Sequence, residues 1–227
     1  MAKWKTPRLL ESRLEVDRRK RPNQLFVTHV SILNKFVQEK KELLHNESIP
    51  WFDPAGAGIN ARVLFLLQDP SDTASAGTGF ISPDNPDRTA DNTTVFRNNA
   101  NLLSQELIHW NIFPWKIGQK SGDDDIKKAL PYLFEFLGLL PKLEIVVCMG
   151  EKASDGWNQC FPNNLCVPGW KFSSKQVGKN PIIALSCPHP SPQSLGGKHL
   201  HELMDGLTPS ERIQSTLNNV RKILDSR

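Results

Sequence analysis

The stretch VLFLLQDPSD, residues 63–72, decides how the rest of the chain is read. Its first five residues are apolar without alternation, as expected of a strand covered on both faces inside a parallel sheet. The polar Gln68-Asp69-Pro70-Ser71-Asp72 ends that run abruptly, and an Asp-Pro step commonly starts a turn. A buried strand with a polar turn at its carboxyl end is the unit from which α/β sheets are made.

Downstream, residues 68–93 are rich in Gly, Pro, Ser, Thr, Asp and Asn, and read as a long loop of functional kind. Residues 98–107 read as a helix leading into a second strand over 108–113. Asp124 starts a helix through Leu130, Leu133, Phe134 and Leu137, closed by Gly138 and Pro141. Ile145 to Met149 and residues 182–186 supply a third and a fourth strand, and a last helix, capped by Thr208 or Ser210, runs to about Leu224. Upstream, Phe26, Val30, Leu33 and Val37 recur at helical spacing over residues 26–44. The expectation is a three-layer α/β/α fold with a central, mostly parallel four-stranded sheet. Residues 1–50 form a basic arm and an amphipathic helix packed on a domain spanning 51–227.

Composition excludes several classes. The 227 residues are 38% hydrophobic and 23% charged, with a net charge of +4, which permits a nucleic-acid partner without requiring one. No apolar run approaches the ~20 residues that span a bilayer, and the start MAKWKTPRLLESR lacks the apolar core of a secretory signal, so an intracellular protein is expected. The run Arg18-Arg19-Lys20-Arg21 suits either a phosphate backbone or a solvated helix face. The four cysteines contain no CxxC pair, so buried free thiols are expected and neither metal nor cofactor is called for.

In parallel sheets ligands bind beyond the carboxyl ends of the strands, and four segments fall there: QDPSD, NIFPW, GEKAS and PHPSPQSL. Asp69 either orients a water molecule or caps the turn. In SAGTGF (75–80) two glycines bring backbone close to a ligand beside Phe80, a ring that can stack. Asn111 carries one donor and one acceptor side by side, matching a base edge of opposite pattern, unless backbone satisfies it. In His189-Pro190-Ser191-Pro192-Gln193-Ser194, two prolines stiffen a loop whose histidine either donates to an oxyanion or belongs to the core.

Taken in order, these segments resemble the uracil-DNA glycosylase superfamily. VLFLLQDPSD is similar to its first motif, with QDP at 68–70 matching the GQDPYH form of the uracil-specific branch. SAGTGF is similar to the corresponding stretch of the mismatch-specific branch, GEKA (150–153) to the turn after the third strand, and HPSPQS (189–194) to the motif HPSPLS. The resemblance covers roughly residues 60–224. It implies a base-excision activity without metal or cofactor, acting on a base flipped out of DNA. Asp69 and His189 would be catalytic, the first activating water and the second stabilising charge on the base. Gln68, Phe80, Asn111 and Ser191 would bind the substrate, while Ser71, Gln193 and Ser194 would contact the DNA. Ser71 stands where the uracil-specific branch has Tyr, Gln193 where HPSPL has its Leu, and Ser82 where a stacking ring usually sits, leaving Phe80 to stack. A reader of modified bases that does not cleave, and a hydrolase of free nucleosides, are the alternative functions.

Overall fold

The computed structural model describes residues 8–117, 122–172, 182–196 and 206–227. Strands β1 (Trp51–Phe52), β2 (Val63–Leu67), β3 (Phe80–Ile81), β4 (Leu107–Asn111), β5 (Ile145–Met149), β6 (Val167–Pro168) and β7 (Ile183–Cys187) alternate with helices. The helices are α1 (Arg13–Lys20), α2 (Pro22–Leu25), α3 (Thr28–Leu44), α4 (Arg88–Asn99), α5 (Asp123–Gly138), α6 (Glu151–Cys160), α7 (Pro192–Gly196) and α8 (Pro209–Asp225). The main sheet has five strands in the order β4-β2-β5-β7-β6, and every pairing in it is parallel. The α/β/α class is as expected. The additional strand is β6, two residues at the sheet edge, with Val167 opposite Leu185 and Pro168 opposite Ser186. So short a strand, ending in proline, has no periodicity to announce it, and an edge tolerates the missing N–H.

Alternation along the strands sorts their side chains between two cores. Leu64, Leu66, Ile108, Trp110, Val146 and Cys148 face α3, α5 and α6, meeting Leu33, Phe36, Leu133, Phe136 and Trp157. Within this layer Trp110 stacks on Phe52 at 4.4 Å between ring centroids and meets Phe36 edge-on at 6.1 Å. Val63, Phe65, Leu107, Ile145, Val147 and Leu185 face the other way, against Ile213, Leu217, Val220 and Leu224 of α8. Thr208 caps α8, accepting from the Glu211 N–H while Glu211 accepts in return from the Thr208 N–H.

The region after β2 is where the sequence reading fails. Residues 88–99 form α4, of which 88–93 read as loop and only 98–99 as helix, while 100–106 hold a turn and a single 3-10 turn in place of the rest of the helix read over 98–107. Asp87 caps α4 by accepting from the Ala90 N–H at 2.9 Å. The helix RTADNTTVFRNN buries Thr93 and Thr94, whose hydroxyls donate to the carbonyls of Thr89 and Pro83. A helix that packs through satisfied threonines carries no apolar stripe, and pattern reading passes over it.

The N-terminal helices tie down the segment between β3 and α4. Arg19 is 2% exposed, and its guanidinium donates to Glu15, Asp53 and Asp84. Ser82 donates to Asp53 as well, the Leu10 N–H donates to the Asp84 carbonyl, and Arg8 pairs with Asp91. Arg19 is therefore turned inward, unavailable to a phosphate backbone; its neighbours Arg18 and Lys20 stay on the surface. Cys148 and Cys187 are buried free thiols as expected, whereas Cys160 and Cys166 are half-buried. Among the described residues no helix is long and apolar enough to cross a membrane.

Replacing Arg19 by Ala leaves Asp53 buried without its cation, and burial already pushes that carboxyl above its ordinary range. The expected loss is about 3–5 kcal/mol, read as a lower urea midpoint with an unchanged slope. A midpoint equal to that of the parent protein would remove Arg19 as the fastener of this region.

Candidate active site

Because the sheet is parallel, the carboxyl ends of β2, β4, β5 and β7 lie along one edge. Leu67 of β2 is in register with Asn111 of β4, and the Ile112 and Phe113 N–H groups continue the ladder to the carbonyls of Leu67 and Gln68, both at 2.9 Å. This brings the QDP turn beside the end of β4. The Asp69 carboxylate accepts from the Ile117 N–H at 3.1 Å, which ties the two turns together.

His189 follows β7. Its Nδ1 accepts from the Ser191 N–H at 3.1 Å, so in the neutral ring the proton sits on Nε2 and that nitrogen is a donor. Burial pushes the His189 pKa below its ordinary value, and the nearby Asp69 charge opposes that shift without reversing it. The loop is held from two sides. Asn92 of α4 donates to the Pro190 carbonyl at 2.7 Å, and the Gly150 N–H donates to the Cys187 carbonyl at 2.8 Å. Gly150 has φ +100°, and a Cβ there would stand 3.1 Å from the His189 Cβ. Glycine at this turn thus serves both the backbone conformation and the approach of the imidazole.

A cavity of about 730 Å³ opens between this edge of the sheet and α4. Gln68, Asp69, Ser71, Asn111, His189, Ser191 and Gln193 all line it. Asn111 is only 3% exposed, and its Nδ2 has no hydrogen-bond partner among the described residues. A buried amide without a partner costs stability, and a ligand that completes the bond recovers it. Ser194 lies beside this cavity and lines a neighbouring one of about 420 Å³, which shares His189 with it. The Ser194 N–H donates to the Ser191 hydroxyl at 3.3 Å.

Phe80 requires correction as a stacking ring. It is fully buried in a separate cluster with Leu10, Val16 and Leu25 and does not line the cavity. The cause is β1: the Trp51 N–H bonds the Gly79 carbonyl, and Trp51 lies in parallel register with Phe80, turning the ring toward the N-terminal helices. Nothing in residues 75–80 alone signals that partner strand.

Several lining residues escaped sequence reading. Lys116 sits at the rim, paired with Asp72, and Thr93 and His109 line the interior, as does Ser82, which the sequence marks as the position where a stacking ring usually sits. His109 could have been found, since strand alternation puts it on the same face of β4 as Asn111. Its Nε2 is shut off from solvent and unpaired, and its ring meets Phe65 edge-on at 5.3 Å. No group of three His, Cys, Asp or Glu side chains is placed to hold a metal among the described residues. The arrangement offers a carboxylate, a neutral imidazole donor and a free amide around one space. Compared with known proteins, the chain matches no family model and no curated protein.

Burial, together with the Arg97 charge, pushes the His109 pKa from 6.5 to about 3. The folded-state pKa is depressed, so the unfolded chain binds the proton first and stability is lost as pH falls below 6.5. Denaturation measured from about pH 7 to about pH 4.5 should lose up to about 1.4 kcal/mol per pH unit through this one group, and His109→Leu should flatten the slope by that amount. Parallel slopes for parent and variant would contradict the burial of a neutral ring.

Proposed function

We propose that the protein is a DNA glycosylase that hydrolyses the N-glycosidic bond of uracil or a related damaged base, leaving an abasic site. The observation that carries this reading is the meeting of Asp69, Asn111 and His189, from three strand ends, around one cavity. A base inside a duplex cannot reach such a recess unless it leaves the stack, so the substrate is a flipped-out nucleotide.

Each group then has a task. The Asn111 amide pairs with a base edge that presents N–H beside C=O, as a deaminated base does. As the bond from C1′ to the base nitrogen breaks, its electron pair passes to the base and charge builds on the carbonyl oxygen. His189 donates from Nε2 to that oxygen, and its protonation state suits the task because the folded protein favours the neutral ring. Asp69 orients the water whose oxygen bonds C1′, with the water's second proton neutralising the departing base. Ser71, Ser191, Gln193 and Ser194 lie where the strand carrying the flipped nucleotide would pass, and Lys116 adds a cation at the rim.

Labelled oligonucleotides containing uracil, incubated with the protein and then treated with hot alkali, should show scission at the modified position. Asp69→Asn and His189→Leu should each lower the single-turnover rate about 10²–10⁴-fold. Asn111→Ala should act with comparable force on excision while weakening binding of the free base. Unchanged rates in all three variants would dismiss this active site, and binding of the oligonucleotide without scission by the parent protein would favour a non-cleaving reader.

A further inference from the structure

We infer that the end of α1 is a second DNA contact, at which the Lys20 ammonium and the Arg21 guanidinium take phosphates of the strand that leaves the cavity past residues 73–79. The inference rests on the glycosylase reading for its partner and adds to it a surface outside the segments that line the cavity.

The fold divides the run Arg18-Arg19-Lys20-Arg21. Arg19 is taken up inside by Glu15, Asp53 and Asp84. Arg18 forks onto both oxygens of Glu15 at 2.7 Å. Asp17, the other carboxylate of α1, faces Arg13 at 3.9 Å. Lys20 and Arg21 are exposed, and neither side chain has a hydrogen bond or an ion pair among the described residues. Arg21 stands at the corner between α1 and α2, where the backbone is extended. Two adjacent cations thus point outward unshared, unlike a solvated helix face laced with ion pairs.

Gly79 sets their position. Its φ is +75°, and a Cβ there would stand 3.1 Å from the Lys20 Nζ, so glycine leaves room for the ammonium against this backbone. The segment beneath it leads to the cavity. The Thr78 N–H donates to the Thr73 carbonyl at 2.7 Å, and Ala74 lines the cavity together with Ser71 and Asp72. A further cation lies close by: Lys41 sits over the Trp51 ring at 4.6 Å, and the Trp51 N–H donates to the Gly79 carbonyl. Burial pushes the Lys41 pKa below its ordinary value; Glu47 opposes that shift and the Lys20 charge adds to it. Like charges gathered at one turn repel each other, and an anion placed among them relieves that repulsion. A DNA strand carries such an anion at every nucleotide. A strand whose flipped nucleotide occupies the cavity, and which runs out over residues 73–79, brings its next phosphates to Lys20 and Arg21. Contacts of this kind hold the backbone without reading its sequence.

The test is binding of the full chain to a fluorescein-labelled duplex in which a tetrahydrofuran residue replaces the target nucleotide, offering no base to release. Anisotropy is followed as salt is raised. Each phosphate contact adds about 0.9 to the slope of log affinity against log salt, so Lys20→Gln combined with Arg21→Gln should lower that slope by about 2. Lys127→Gln combined with Lys128→Gln removes the same charge from the exposed face of α5 and should leave the slope unchanged. Single-turnover excision of uracil at saturating protein should be equal in the parent and both variants, because neither pair lines the cavity. An unchanged slope in the first variant, an equal fall in both, or no binding by the parent overturns the inference. Slower saturated excision in the first variant alone also overturns it, since the pair would then act in the reaction. Uracil excision by the parent beside any of these results leaves the glycosylase reading standing. Binding without excision, with the slope falling only in the first variant, removes the glycosylase reading and keeps the contact.

Discussion

The pairing of β2 with β4 is the constraint on which the site depends. Leu67 opposite Asn111 puts the amide beside the turn that carries Gln68 and Asp69, at the spacing of neighbouring strands. Side chains alternate along a strand, so a slip of one residue would turn Asn111 and His109 toward the aromatic layer and bring Trp110 into the cavity. Trp110 resists that slip. It is fully buried between Phe52, Phe36 and Phe136, and reversing its face would expose a large apolar ring while burying an imidazole and an amide among aromatics. The core on one face of β4 therefore holds the register that keeps Asn111 and His109 on the cavity face.

The second requirement is a wall opposite the strand ends, and it is made by a segment with little hydrophobic content. The stretch from Ser82 to Thr94 is held by polar fastenings: Arg19 to Asp84, Ser82 to Asp53, Arg8 to Asp91, and the Asp87 cap. Buried ion pairs are weak sources of net stability, because desolvation offsets most of their attraction. They are strongly directional, however, and this network joins the N-terminal helices to the loop that bounds the cavity. Residues 8–25 thus act as a brace on the cavity wall.

Electrostatics at the strand ends follows from burial more than from charge. Both His189 and His109 are held neutral by desolvation, and Ser191 selects which nitrogen of His189 keeps its proton. With Nδ1 of His189 accepting from Ser191, Nε2 is left as the donor that the proposed reaction needs.

Much of this architecture was legible in the residues. The run Val63 to Leu67, the apolar strand Ile145 to Met149 and the capped helix α8 announce themselves through local pattern, since burial on two faces or on one stripe leaves a periodic signature. The strand ends, and with them Asp69, Asn111 and His189, follow from that pattern once the sheet is parallel. Other features depend on partners far away in the chain. The helix α4 is stabilised by threonines and a cap, Phe80 is turned inward by pairing with Trp51, and Arg19 is drawn inside by Asp53 and Asp84. The unpaired state of His109 is likewise a property of its surroundings. Local sequence determined which segments form strands and which turns carry polar groups, because those depend on neighbours a few residues away. Tertiary structure alone decided which polar groups are spent on holding the fold and which remain open to a ligand, because hydrogen bonding is settled by whatever the folded chain brings within reach.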